Sequence, residues 1–453
     1  MENLLHYRMD TESIQPEHGR YVITGRDAAS ITRSVERGVV SGRLRPGDAL
    51  PSVRRLAATL GVSPSTVASA YRDLRRRGVL VTHDRARTVV GHRPPLAVRL
   101  APTIPDGAVD LASGNPDPRL LPDLAPAVAA LPATHHQYGD AITVAELTDL
   151  ATSWFESDGI DATSLAVVSG GLDGIERVLQ VHLRPGDRVA VEDPGYAGCL
   201  DLIRTLGFHP VGVEVDDAGM RPDALAAALR RGVEAVLHTP RAQNPTGAAL
   251  TAERADALGV TLGHYPEVLL VEDDHAAPIS GTDWHGVHRS QHRHAVVRSV
   301  AKWLGPGLRL AVVAGDEDTI TRVLGRQRLG TGWVPQLLQH LVAEVAGRAA
   351  HDGVLSTAVT TYDRRRRGLI DTLAAEGITA HGATGLNVWI PVAEEVPVVQ
   401  GLAERGWAVQ AGEPYRIDSG PAIRVTTAAL DDAAAFTDDL VDVLELRLGT
   451  RRG

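Results

Sequence analysis

Lysine is almost missing from this chain of 453 residues: of its 46 Lys and Arg residues, 45 are arginine and one, Lys302, is lysine. A chain that writes its basic positions as Arg, surface ones included, keeps Lys where Arg cannot do the job. Cysteine is equally scarce. The single Cys199 excludes an internal disulfide framework and fits a reducing compartment. No uncharged apolar stretch approaches the length of a membrane span. The first residues lack a basic segment followed by an apolar run, so no secretory signal is visible. With 43% hydrophobic residues and mixed charges, these absences point to a soluble, cytoplasmic protein without a membrane partner. The length implies roughly two to four domains.

The surroundings of the lone lysine are specific. A run of small and apolar residues ends at Ser299, Lys302 follows, and a Gly305-Pro306-Gly307 turn leads to Arg309. Arg stays protonated, whereas a desolvated Lys can lose its proton and attack a carbonyl. A hydroxyl, an amine and a guanidinium from one short loop suit an aldehyde that also carries a phosphate, and pyridoxal 5'-phosphate (PLP) is such a molecule.

The net charge of −10 is unevenly spread. Residues 26–93 hold 14 Arg against 5 acids, a net of +9, which leaves −19 for the rest. A basic module on an acidic body suggests that one end meets a polyanion. Residues 1–25 are polar and aperiodic and read as an arm. Ile31, Val35 and Val39 recur at helical spacing up to Gly42, and a second helix runs from Val53 to Leu60. Ser63-Pro64 opens a third, which buries Val67, Tyr71 and Leu74 and stops at Gly78. Val79–Val81 and Thr88–Val90 can pair as a hairpin.

This is the pattern of a winged helix-turn-helix over residues 26–92. The phrases Gly42-Arg43-Leu44-Arg45-Pro46-Gly47-Asp48-Ala49-Leu50-Pro51-Ser52-Val53-Arg54-Arg55-Leu56-Ala57 and Gly61-Val62-Ser63-Pro64-Ser65-Thr66-Val67 resemble the GntR family of DNA-binding domains. The resemblance implies double-stranded DNA as partner. The third helix would offer Ser65, Thr66 and Ser69 to the duplex, with Arg54 and Arg55 beside them and Arg85 and Arg87 at the wing. Pro64 departs from the family, where a basic residue is usual, and the wing tip lacks the usual glycines.

A proline-rich linker, 93–108, precedes a body over 109–453 in which apolar strands alternate with helical stretches, as in a doubly wound α/β sheet. Strands are expected at Leu165–Val168, Arg188–Val191, Ala235–His238, Val268–Val271 and Ala295–Val297. The candidate site residues then fall just past strand ends, where such sheets bind ligands.

Together these segments resemble the fold-type I PLP-dependent aminotransferases, and the two parts in sequence resemble the MocR subfamily of transcription regulators. The resemblance implies that Lys302 carries PLP covalently, Asp273 pairs with the pyridinium nitrogen, Asn244 and His275 bond the phenolic oxygen, and Tyr196 stacks on the ring. Ser299, Arg309 and the amides of Gly170, Gly171 and Leu172 would hold the phosphate, with Tyr138 arriving from the neighbouring subunit of a homodimer. Arg424 would clamp a substrate carboxylate. His275 stands where the family commonly has Tyr, and the phosphate loop offers few polar side chains.

His285, His288, His292 and His294 crowd one loop, but their spacing matches no common metal-ligand frame, so no metal is expected. Cys199 reads as packing. The expected function is a PLP-dependent DNA-binding regulator that senses PLP or an amino compound. The alternatives are an active aminotransferase carrying a DNA-binding domain and a dimerisation scaffold that has lost its cofactor.

Overall fold

The computed structural model describes residues 21–450 apart from 42, 46, 77–78, 84–86, 91–101, 103 and 133–134. The chain divides into two compact units, Met1–Arg99 and Leu100–Gly453. Most of the expected linker, and the helix stop expected at Gly78, lie outside the described residues.

In the first unit, α1 (Ala28–Val40) opens on a reciprocal cap between Asp27 and Ser30 and buries Ile31 and Val35 completely. Helix α2 (Val53–Leu60) starts at Ser52, whose side chain accepts from the amide of Arg55, and ends at Gly61 with φ 66°. That left-handed conformation suits glycine and turns the chain sharply. Helix α3 (Pro64–Arg76) begins behind Ser63, whose Oγ accepts from the Thr66 amide at 3.2 Å. Tyr71 is buried, and its hydroxyl donates to the carbonyl of Pro51 at 2.9 Å, fixing α3 against the start of α2. Strands β1 (Leu80–His83) and β2 (Arg87–Val90) pair antiparallel, and Ala49 bridges to Val89. The segment before α2 therefore lies along the wing.

The second unit is built on an eight-stranded sheet. Its strands are β3 (Leu165–Val168), β4 (Arg188–Asp193), β5 (His209–Asp216), β6 (Gly219–Met220), β7 (Ala235–His238), β8 (Leu269–Asp274), β9 (His294–Ser299) and β10 (Ala311–Gly315). Their order is β3-β10-β9-β8-β7-β4-β5-β6. The central strands run parallel; β10 is antiparallel to both its neighbours, and β6 closes a hairpin at the edge. Every residue of β7 and β8 is buried, as expected of strands covered on both faces.

Three strands run further than the sequence suggests. Strand β4 continues through Asp193, β8 through Asp274, and β9 through Ser299. Asp273 and Ser299 thus lie within strands, not just past them. The reason is the ladder: Val297 opposes Asp273, Arg298 opposes Asp274 and Ser299 opposes Ala311, so backbone pairing carries on after the apolar run has ended.

A smaller antiparallel sheet orders Asn387–Pro391, Ala422–Thr426 and Gln410–Ala411. Its core includes Val388, Ile390, Ile423 and Val425 with Leu369, Leu373 and Phe436 from two helices. Val109–Asp110 pairs with Trp407–Ala408, and the amide of Thr426 donates to the carbonyl of Leu111. These bonds carry residues 111–114 alongside Arg424. Among the described residues no helix is long and apolar enough to cross a membrane.

Candidate functional site

Lys302 sits in the tight turn that follows β9. Ser299 organises this turn: its Oγ accepts from the Ala301 amide at 3.2 Å, and its carbonyl accepts from the Trp303 indole at 3.1 Å. Trp303 is buried edge-on against Trp154, so the turn has an apolar anchor. The ammonium nitrogen of Lys302 donates to the carbonyl of Gly114 at 2.6 Å. Burial, aided by the positive charge of Arg424 and opposed by Asp273, brings its pKa down to about 8. A substantial neutral fraction near neutrality makes it a usable nucleophile.

Asp273 is buried in β8. Burial, then the negative charges of Asp274 and Glu192, push its carboxyl up to about 7, with Lys302 opposing. It lines a small cavity with Tyr196, Cys199 and Glu192. Burial raises Tyr196 to about 12 and the Cys199 thiol well above its ordinary value, so neither ionises near neutrality. Asn244 follows β7 in a turn ordered by Gln243, whose Oε1 accepts from the Thr246 amide and hydroxyl and whose amide donates to Glu192 and the Pro194 carbonyl. Gly247 in this turn has φ 69°, and a Cβ there would lie 2.8 Å from the Thr384 carbonyl, so only glycine fits. The Oδ1 of Asn244 is buried without a hydrogen-bond partner. His275 follows β8; burial and then the charge of Lys302 hold it at about 4, so its ring is neutral.

An anion cradle adjoins these groups. Gly170 (φ 105°) caps the helix α4 (Gly171–His182), whose first amides have no acceptor within the helix. A Cβ at Gly170 would stand 3.1 Å from Nη2 of Arg309, which places that guanidinium against the helix start, and one at Gly171 would lie 3.6 Å from the Ser299 Cβ. Asp173 is turned away to local partners, accepting from the Ser169 amide and from Arg177. The structure thus brings Ser299, Arg309, Gly170, Gly171 and Leu172 together. Tyr138 is not among them: it stands 94% exposed with its ring edge on Trp333.

Arg424 is buried, donating to the hydroxyl of Tyr415 at 2.5 Å and to the carbonyl of Ala112. Gly114, Ala112 and Tyr415 carry no sequence signal of their own. A second group missed in the sequence does carry one. Asp274 accepts from Arg298 at 2.7 Å and from Arg241 at 2.9 and 3.0 Å, and both arginines also reach Asp158. An arginine inside the apolar run Ala295–Ser299, with an extra aspartate beside Asp273, was the available clue.

Of the four loop histidines, His288 is buried and His292 is exposed. His288 and His238 both bond the buried Glu272, at 3.0 and 3.2 Å, and hold its carboxyl down at about 2 against the effect of burial. Among the described residues no cluster is placed to hold a metal ion.

In the first unit, Arg54, Arg55, Ser65 and Ser69 are exposed and Thr66 is half-buried. The hydroxyl of Ser63 lies 2.7 Å from that of Ser65 and 2.8 Å from that of Thr66, joining the start of α3 in one polar cluster. Arg85 and the side chain of Arg87 lie outside the described residues.

The family model for aminotransferase class I and II matches residues 106–436, and that for bacterial regulatory proteins of the gntR family matches 28–90. The vitamin B6 salvage pathway transcriptional repressor PtsJ of Salmonella typhimurium is 40% identical over 422 residues, covering 92% of this chain and 97% of its own. The pyridoxine biosynthesis transcriptional regulator PdxR of Corynebacterium glutamicum is 31% identical over 258 residues, 54% of this chain and 55% of its own. Among solved structures, the α-aminoadipate aminotransferase LysN of Thermus thermophilus superposes with a TM-score of 0.68 at 21% identity, over 76% of this chain and 94% of its own, a likeness of fold.

Proposed function

Because the chain belongs to the aminotransferase class I and II family and carries a gntR-family domain ahead of it, we propose that it is a cytoplasmic, PLP-sensing transcription regulator acting as a homodimer. The observation that supports this reading is the pairing of a gntR-family module with an aminotransferase-family body that carries Lys302, Asp273 and Asn244. The relatives PtsJ and PdxR, named for regulation in vitamin B6 metabolism, favour it over an aminotransferase with a DNA-binding appendage.

The described residues fit PLP. Asn244 has a buried polar atom without a partner, and Asp273 is a buried carboxyl awaiting a cation. PLP supplies an aldehyde for an amine and a ring that withdraws electrons. Lys302 would present its amine to that aldehyde, and its fall to about 8 keeps part of it unprotonated at working pH. Asp273 would pair with the ring nitrogen and hold a proton there. Asn244 and the neutral His275 would bond the phenolic oxygen, and Tyr196 would pack against the ring. The amides of Gly171 and Leu172, backed by Gly170, Ser299 and Arg309, would hold the phosphate, and the exposed Tyr138 would reach across from the second subunit. Arg424 is the group that meets a carboxylate, where a ligand has one. On the DNA side, Arg54 and Arg55 contact backbone phosphates while Ser65, Thr66 and Ser69 enter the major groove.

A ligand shifts DNA binding only through different affinity for two conformations. The test compares affinity for the protein's own promoter fragment with and without PLP, in wild type and Lys302→Ala, beside a transamination assay. PLP should change wild-type affinity by about fivefold or more and leave Lys302→Ala unmoved. Equal affinity in every state, with turnover of common amino acids near ~10 per second, would replace the regulator by an enzyme.

A further inference from the structure

The large sheet borders a second cavity, at the end away from Lys302. Strand β9 has Ser299 at one end and His294 at the other, five residues apart, or about 17 Å at the rise of a strand. Beside His294 lies an open cavity of about 560 Å³, walled in part by Glu156, Asp161, His288, Arg289, Asp316 and Glu317. That volume is in the range of small-molecule sites. None of these residues belongs to the set assigned to PLP.

Four carboxylates here meet one guanidinium. Asp316 accepts from the amides of His294 and Thr319 and from the Thr319 hydroxyl, at 2.6 to 2.9 Å. Asp161 accepts from the Thr163 amide at 2.9 Å, which holds its carboxyl below the ordinary range. Arg289 donates to the Gly159 carbonyl. Glu156, Asp161 and Glu317 are exposed. The cavity therefore favours a cation.

Carboxylates alone name no ligand, but His288 adds a second observation. It is only 5% exposed, and its Nδ1 lies 3.0 Å from the ionised Glu272. A carboxylate only accepts, so Nδ1 carries a proton and the uncharged ring keeps a lone pair on Nε2. That Nε2 is buried and has no hydrogen-bond partner among the described residues. The His294 ring, 5.7 Å away, turns its Nδ1 to the Gln291 carbonyl at 3.2 Å, which again leaves Nε2 as an acceptor. Burial, then the charge of His288, holds His294 below the ordinary histidine range and keeps this ring neutral.

A metal ion needs several ligands converging on one point, and the described residues bring no such group together. A flexible chain with ammonium groups several ångströms apart has no need of convergence. We propose that this cavity binds an aliphatic polyamine, one ammonium donating to Nε2 of His288 and the others meeting Glu156, Asp161 and Glu317. The inference is independent of what occupies the site at Lys302.

The experiment is calorimetry on the full-length apoprotein, without PLP, so that no aldehyde consumes the amine. Spermidine is compared with the uncharged 1,8-octanediol and with Zn²⁺. Wild type should bind one spermidine per chain and octanediol at least tenfold more weakly. His288→Asn, whose amide can still donate to Glu272, should weaken spermidine about tenfold. Asp161→Asn combined with Glu317→Gln, both at exposed positions, should weaken it about fivefold. Lys302→Ala should bind as wild type does, and so should Asp318→Asn, which neutralises a neighbouring acid outside the cavity wall. If His288→Asn does not fold, the contrast between the Asp161/Glu317 pair and Asp318→Asn decides. An equal loss in Asp318→Asn would mean diffuse attraction to an acidic surface, and a loss in Lys302→Ala would put the amine at the other end of the sheet. One Zn²⁺ per chain that excludes spermidine would make the histidines metal ligands. Each of these three results overturns the proposal.

Discussion

The strand Leu269–Asp274 ends in two carboxylates one residue apart, and its two faces treat them in opposite ways. Asp274 points into a set of two arginines and one further aspartate. Burial works against its charge, but Arg298 and Arg241 outweigh burial and hold it below the ordinary range. Asp273, on the other face, has no such partner and is driven up to about 7. Alternation along a strand separates them: one residue's step moves a side chain from the layer that holds the sheet together to the layer that meets the ligand. A buried carboxylate with its countercharges is a structural element, whereas one without them is a site awaiting a cation.

Replacing each aspartate should break this contrast in opposite directions. Asp274→Ala leaves Arg298 and Arg241 buried with only Asp158 between them, and unfolding of the apoprotein should lose about 3–5 kcal/mol. The depressed carboxyl of Asp274 contributes stability that is present above the unfolded pKa and lost as pH falls through its folded value. Asp273 has the reverse sign. Its folded carboxyl binds a proton that the unfolded chain releases between about pH 4 and 7, so its contribution to stability falls as pH rises through that window. Asp273→Asn should therefore leave the apoprotein at least as stable as wild type at pH 8, while PLP affinity drops sharply. Thermal melts of both variants at pH 5 and pH 8, with and without PLP, measure the two effects. Loss of apoprotein stability in Asp273→Asn would erase the distinction.

A smaller effect sharpens the same comparison through Lys302. Its amine titrates near 8 because burial and Arg424 disfavour its charge. Capture of PLP, followed by stopped-flow absorbance, should therefore speed up with pH and level off above about 8. Below that, the rate should fall about tenfold per pH unit as the neutral amine disappears. A plateau reached only near pH 10 would mean that Lys302 is not desolvated.

Much of this site is legible in the sequence because its chemistry is written in rare residues at strand ends. Lys302 has no competing lysine, Ser299 and Arg309 flank it, and the caps Ser52, Gly61 and Ser63 mark the helices of the DNA-binding unit. What escapes is set by pairings distant in sequence. Gly114 meets Lys302 across 188 positions and Ala112 meets Arg424 across 312, and no local pattern announces either. Strand ends are misjudged at Asp193, Asp274 and Ser299 for a related reason: hydrogen bonds to neighbouring strands hold polar residues in extended form after the apolar signal has stopped. Arg298 and Asp274 show the same thing, since charged residues in a fully buried strand are explicable only once their partners are known.

The claim on which the account depends is that Lys302 carries PLP, and its chemistry allows a direct measurement. The protein is incubated with PLP, reduced with borohydride, digested and mapped by mass spectrometry. With no other lysine in the chain, the pyridoxyl mass should appear on the peptide containing Lys302 and vanish in Lys302→Ala. Labelling confined to the α-amino group of Met1, equal in wild type and variant, would contradict it.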